Sequence, residues 1–404
     1  MPLRLHALSS STHPFKRFVR LNRLARGATT FRDSRALPFR FAGTDRLLPE
    51  QRSTIVGHDS RTANSCGILS GLMESAVTSV VESPVSRHRL LEWKRSSILR
   101  KIADLRIEEF IAYFFFVPCL AITLRANFFF WLEGYGFGRK IEGGLWRIAV
   151  VTALLPLIPY LSRKSAHSRF FRICRNSLPF LIAIAIYTNL HDTIHFVNPH
   201  DVQDWFLRAD IWLFGVEPTL WTQKFYHPLL TEVLSFCYAS YLPLTVMIPL
   251  VLYIKKRDIE ARETLLGIVL CFYWGYVLYI AFPTVPPRLW IADQYTTDFE
   301  GGILLAAQGA MVSITESSSR AAFPSLHFAI TTLTLTYAWR FVRRLFWFLL
   351  PLAVGLVVAT IYLRHHYVVD LFAGLPLAYL AHRYSPAWEK KWEAFRHRLA
   401  LTTR

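Results

Sequence analysis

LFWFLLPLAVGLVVATIYLRHHYVVD, residues 345–370, decides how this chain folds. Residues 345–363 carry no charge. As a helix they are long enough to cross the apolar core of a bilayer, which takes about 20 residues. The run then ends on Arg364, His365 and His366, with Asp370 following. Ionisable side chains at membrane depth are expensive and usually functional. The stretch reads as a membrane helix that delivers a polar cluster to one face of the membrane.

Working outward, further apolar runs lie near 110–132, 146–162, 177–197, 228–254, 264–283, 322–340 and 366–383, which with 345–363 makes eight spans. Composition agrees: 53% of residues are hydrophobic, 15% aromatic and only 18% charged, a balance seldom met in a soluble domain. The expected fold class is therefore all-α, a polytopic membrane helix bundle of about eight transmembrane helices. Lys and Arg cluster in 163–175, in 255–262, at Arg340, Arg343 and Arg344, and after Arg383. The alternate loops, 191–227, 284–321 and 364–365, are poorer in basic residues. Basic loops on every second connection place both termini in the cytoplasm and the cluster after residue 363 on the extracytoplasmic or lumenal side.

The net charge is +18, and residues 1–105 hold 18 Lys/Arg against 8 Asp/Glu, which is +10 of it. No zinc, RNP or helix-turn-helix pattern accompanies the charge, so attraction to anionic headgroups is preferred to nucleic-acid binding. Five cysteines lie far apart with no CxxC pair, which argues against a disulfide framework or structural zinc. The expected organisation is a disordered basic region over 1–85, in which 1–72 could be a transit peptide or precede a start at Met73. An amphipathic juxtamembrane helix follows over 86–109, then two transmembrane helices over 110–176, a catalytic domain over 177–385 and a basic cytoplasmic tail over 386–404. Segment 198–218 alternates acids with Trp, Phe and Leu and reads as an interfacial or re-entrant helix.

Three segments on the extracytoplasmic face carry chemistry. In Phe323-Pro324-Ser325-Leu326-His327 a loop enters a span, with Pro324 expected in the first helical turn. The unpaired N–H groups of a helix start form an anion site, to which Ser325 adds a hydroxyl and His327 an imidazole. In Arg364-His365-His366-Tyr367-Val368-Val369-Asp370, His366 and Asp370 are spaced i, i+4, one face of a helix. Asp370 can then orient His366 for attack on phosphorus, with His365 a hydrogen-bonding neighbour. In Phe282-Pro283-Thr284-Val285-Pro286-Pro287-Arg288, two prolines stiffen a span exit and Arg288 offers a fork of donors for phosphate oxygens.

These segments resemble the type 2 phosphatidic acid phosphatase superfamily, and within it the inositol phosphorylceramide synthase branch of inositolphosphotransferases. FPSLH, HHYxVD and Pro-Thr-x-Pro-Pro are matched in order, over roughly 185–385. The resemblance implies a six-helix phosphatase-like catalytic core and a phosphohistidine mechanism that uses no metal or other cofactor. His366 would attack phosphorus, Asp370 would hold its tautomer, and His327 would protonate the leaving alkoxide. The implied partners are membrane lipids: a phospholipid donor giving up an inositol phosphate-like headgroup, and a lipid alcohol or water as acceptor. Hydrolysis of phosphatidate-like or polyprenyl phosphates is the alternative. The chain departs from the superfamily pattern where Leu326 replaces Gly, where Ala359 and Thr360 replace Ser-Arg, and where Ala281 replaces Lys. Two cations of the phosphate clamp are thus missing, Arg288 remains, and Arg320 and Arg364 are the candidates to substitute.

Two further features carry less. His191, Asp192 and His195 form H-D-x-x-H without an obvious third ligand, and read as interface or headgroup-pocket polarity rather than a metal site. Tyr238, Tyr241 and Trp274 read as packing aromatics. A non-catalytic transporter or scaffold is the competing class, disfavoured by the intact His–His–Asp set.

Overall fold

Long apolar runs with no strand-like alternation leave the backbone one way to satisfy its own polar groups in lipid, which is the α-helix. A computed structural model describes residues 98–132, 144–188, 190–315 and 320–402, and these are helices joined by short loops. The expectations for 1–85 and for 86–97 of the juxtamembrane helix lie outside the described residues. Residues 98–104 are helical. After a break, α1 (Ile107–Leu132) begins, and Glu109 reaches back to accept the Arg106 N–H at 2.8 Å. Then come α2 (Gly144–Leu154), α3 (Leu157–Lys164), α4 (Arg169–Tyr187), α5 (Leu190–Val197) and α6 (Gln203–Phe214). The second half holds α7 (Pro228–Ala239), α8 (Tyr241–Ile254), α9 (Asp258–Ala281), α10 (Ile303–Thr315), α11 (Leu326–Phe341), α12 (Arg343–Tyr362) and α13 (Val368–Thr402).

Among the described residues four helices, α1, α4, α9 and α12, are long and apolar enough to cross a membrane, and the α7–α8 pair, bent by 44°, makes a fifth. The protein is thus a multi-pass helical membrane protein, but the other three expected spans differ in form. The run at 146–162 is split at Pro156 into α2 and α3, because proline removes a helix donor and clashes with the preceding turn. Helix α11 has 16 residues and a length of about 24 Å, short of the roughly 30 Å apolar core. Helix α13 runs on for 35 residues through Pro376 and Pro386 into its charged second half, so the expected tail is helical. The run at 177–197 divides into α4 and α5.

Helix α9 is the hub, packed on α4, α8, α11 and α13, while α11 also contacts α12 and α13. The core is apolar and aromatic, with Tyr276, Tyr337 and Tyr367 wholly buried. At the end where α9 begins, buried and half-buried charges are paired. Arg175 grips Glu109 with two bonds of 2.7 and 2.8 Å, and Arg262 bridges Glu108 and Glu389. This links α1, α4, α9 and α13 about 28 Å from the end where α9 releases the Pro283–Arg288 segment.

Close approach explains one departure from the superfamily pattern. A Cβ built on Gly275 would lie 2.5 Å from Leu326 Cδ2, so the bare backbone of α9 makes room for the leucine at 326. Gly275→Ala is expected to lower unfolding stability by about 1–3 kcal/mol. A double variant, Gly275→Ala with Leu326→Ala, should recover part of that loss. Thermal unfolding in detergent micelles reads both, and additive losses would disprove the packing account.

Candidate active site

Backbone hydrogen bonds knit the three motif segments together. The Ser325 N–H donates to Asp370 O at 3.1 Å, and the Arg288 N–H to Arg364 O at 2.9 Å. Thr284 donates to Arg320 O and accepts from the Ala322 N–H, both at 3.0 Å, as an isolated parallel bridge. Gly374 permits the first contact: a Cβ there would stand 3.0 Å from Ser325 O and 3.2 Å from Ala329 N.

Ser325, not Pro324, starts α11. It is the N-cap, and its Oγ accepts the Phe328 N–H at 3.3 Å, which leaves Pro324 outside the helix. His327 then projects from the first turn of α11. His366 lies two residues before α13, so it meets Asp370 across a helix start rather than along a helix. Its Nδ1 is 3.5 Å from Asp370 Oδ2, and the same carboxylate accepts the Tyr367 N–H at 3.1 Å, as an N3 acid does in a capping box. The opposite nitrogen, His366 Nε2, is 3.3 Å from His327 Nδ1, with ring centroids 5.5 Å apart. His366 and Asp370 are buried.

A cavity of about 110 Å³ opens beside these rings. Arg288, His327, His365 and His366 line it, together with Leu326 and the tyrosines 187, 238, 241, 276 and 279. Arg288 Nε donates to His365 Nδ1 at 3.1 Å. Tyr238 stacks on His365 with centroids 4.4 Å apart, and Tyr241 tilts over His327 at 4.5 Å. These two tyrosines, expected to be packing residues, are walls of the site. In sequence an aromatic that fills a core and one that lines a cavity look alike, and these two flank the break between α7 and α8.

The other candidates do not reach the cavity wall. Arg320 is paired with Asp201 and donates to Asn198 O at 3.1 Å. Arg364 sits 3.8 Å over Tyr295 and 4.3 Å over Phe299 and donates to Thr297 O at 2.6 Å. Ser325 is fully buried and its oxygen serves α11. Thr360, at the missing arginine's position, is buried and bonded to Val357 O within its own helix. His195 is exposed, and the side chains of His191 and Asp192 lie outside those described.

Sequence reading missed Asp210. It is fully buried on the inner face of α6, where Oδ2 accepts the Val368 N–H at 2.7 Å and Oδ1 the Val369 N–H at 2.9 Å. It thus caps α13 from 158 residues away. Burial pushes its carboxyl above the usual range, and the two N–H donors pull it partly back. The outer face of α6 shows Trp205 and Trp212, 62% and 83% exposed. Asp204 and Asp210 both lie among Trp, Phe and Leu on this helix, so the sequence alone did not single out the buried acid.

A multi-pass apolar bundle with three imidazoles and an arginine lining one cavity, and a buried carboxylate behind one of the rings, defines a membrane-embedded class of protein equipped for acid–base and nucleophilic chemistry. Residues 204–384, just under half of the chain, match the family model of the PAP2 superfamily, which supports a phosphatase or phosphotransferase enzyme. No curated protein and no solved structure matches the chain.

Asp210→Ala is expected to cost about 1–3 kcal/mol of stability, since two buried N–H groups lose their acceptor. Turnover should fall with it, because the freed helix start carries Asp370. Unfolding midpoints and turnover measured on one detergent preparation check this, and an unchanged midpoint would refute the capping role.

Proposed function

We propose that this protein is an integral membrane lipid phosphotransferase acting through a phosphohistidine. The supporting observation is the separation of 3.3 Å between His327 Nδ1 and His366 Nε2, with the second nitrogen of His366 turned to Asp370. A hydrogen bond from Nδ1–H to the carboxylate, closed from the present 3.5 Å, would leave the Nε2 lone pair for phosphorus, and one phosphoryl group could then touch both rings.

In the first half-reaction His366 Nε2 forms a bond to phosphorus while the bond from phosphorus to the lipid oxygen breaks. His327 gives a proton to that departing oxygen. Asp370 stabilises the charge on the ring, and Arg288 offers fixed donors to the phosphoryl oxygens. In the second half the acceptor's hydroxyl loses its proton to His327, its oxygen bonds to phosphorus, and the P–N bond breaks. No step requires a metal.

The cavity favours an alcohol over water as acceptor. Its walls include Ile184, Leu242, Phe272, Leu326, Met311 and Val312, which suit a lipid alcohol better than bulk solvent. With Leu326 and Thr360 standing where synthase-like relatives tolerate them, the reaction we favour moves inositol phosphate from a glycerophospholipid to a sphingoid alcohol such as ceramide. Helix α11 packs on the candidate spans α9 and α12, α13 packs on α9, and α2 and α3 pack on α4, which favours counting them among eight crossings. Both termini and the paired charges of Arg175 and Arg262 then lie in the cytoplasm, with the site on the extracytoplasmic or lumenal side.

His366→Ala should reduce turnover to background, and His327→Ala should lower it about 10²–10⁴-fold. Vanadate should inhibit and a chelator should not. Purified protein in mixed lipid should release a new phosphosphingolipid. Free phosphate as the product would make it a phosphatase, and full activity in His366→Ala would end the enzymatic reading.

A further inference from the structure

Helix α10 presents Gln308, Met311 and Val312 on one face, at spacings of three and four residues. Met311 and Val312 line the cavity. Gln308, 5% exposed, brings its amide nitrogen 3.1 Å from His365 Nε2. The other ring nitrogen, Nδ1, receives the N–H of Arg288 Nε at 3.1 Å, and the stacked ring of Tyr238 fixes the imidazole plane. A guanidinium only donates, so His365 Nδ1 must hold a lone pair. The neutral ring then carries its proton on Nε2, and the group opposite must accept. Gln308 does so when its amide turns its oxygen to the ring, the two ends of an amide being exchangeable by a half-turn.

We propose that Gln308 is a positioning residue for phosphate binding: by accepting from His365 Nε2 it fixes the tautomer that lets His365 accept from Arg288, and so holds the guanidinium against the cavity. This rests on Arg288 as the phosphate ligand. Arg288 is the one of the three expected arginines that lines the cavity, so its orientation governs how phosphate is seated. Without an acceptor at 308 the buried Nε2–H has no partner. The ring then gains by moving its proton to Nδ1, and Arg288 faces a donor instead of an acceptor.

The test measures KM, kcat and vanadate inhibition for Gln308→Met, His365→Phe and the double variant, in detergent-solubilised full-length protein whose unfolding midpoint is checked. Gln308→Met should raise KM and the vanadate concentration for half-inhibition by about 5–30-fold, the effect of losing one buried hydrogen bond, with kcat nearly unchanged. The double variant should be no worse than His365→Phe alone, because both act through one ring. If Gln308→Met fails to accumulate, Gln308→Asn, which withdraws the amide by one methylene, should shift KM and vanadate inhibition in the same direction. Wild-type KM and vanadate response in a folded Gln308 variant, or losses that add in the double variant, would overturn the inference. Arg288→Ala with unaltered KM and vanadate response would instead overturn the reading of Arg288 on which it rests.

Discussion

The hydrogen bond from the Ser325 N–H to the carbonyl of Asp370 holds two helix starts together. Helices α11 and α13 each begin with unpaired N–H groups, and in an apolar bundle such groups need partners from within the protein. Here the partners come from the neighbouring helix start, from Ser325 Oγ, from Asp370 and from Asp210. Satisfying the backbone in this way brings the first turn of α11 against the turn before α13. His327 and His366 therefore meet as a consequence of hydrogen-bond bookkeeping at two helix ends.

The same economy shapes the cationic side of the cavity that we propose binds phosphate. Two of the superfamily's cationic positions are Ala281 and Thr360, and neither of the nearby arginines makes up the difference at the cavity wall. Arg320 and Arg364 instead fasten loops, one through Asp201 and Asn198, the other through Tyr295, Phe299 and Thr297. Fewer positive charges around the cavity leave more of its wall aromatic and apolar.

What the sequence made legible was local. The helical membrane character follows from apolar runs of bilayer length, and the spacing of His366 and Asp370 announces a contact even though the helix starts between them. The number of crossings was harder to read, because hydropathy does not reveal that Pro156 divides one run or that α11 stops after 16 residues. Least legible were partners supplied from afar. Asp210 lies 158 residues from the N–H group it caps, and Gln308 lies 57 residues from His365. Nothing in the spacing of either residue refers to its partner, since only the packing of α6 and α10 brings them close. Arg288, by contrast, was conspicuous as a charge at the end of a proline-stiffened exit.

Arg364 adopts φ 65°, the left-handed region that ordinarily belongs to glycine. The conformation costs a side-chain-bearing residue roughly 1–2 kcal/mol. It is maintained because the guanidinium rests on two aromatic rings while the carbonyl receives Arg288. Glycine at 364 would relax the dihedral and at the same time release the tether, so the most comfortable residue for the backbone is the wrong one for the turn. Selection for rigidity and selection for conformational ease therefore pull in opposite directions at this position, and the arginine marks which of them prevailed.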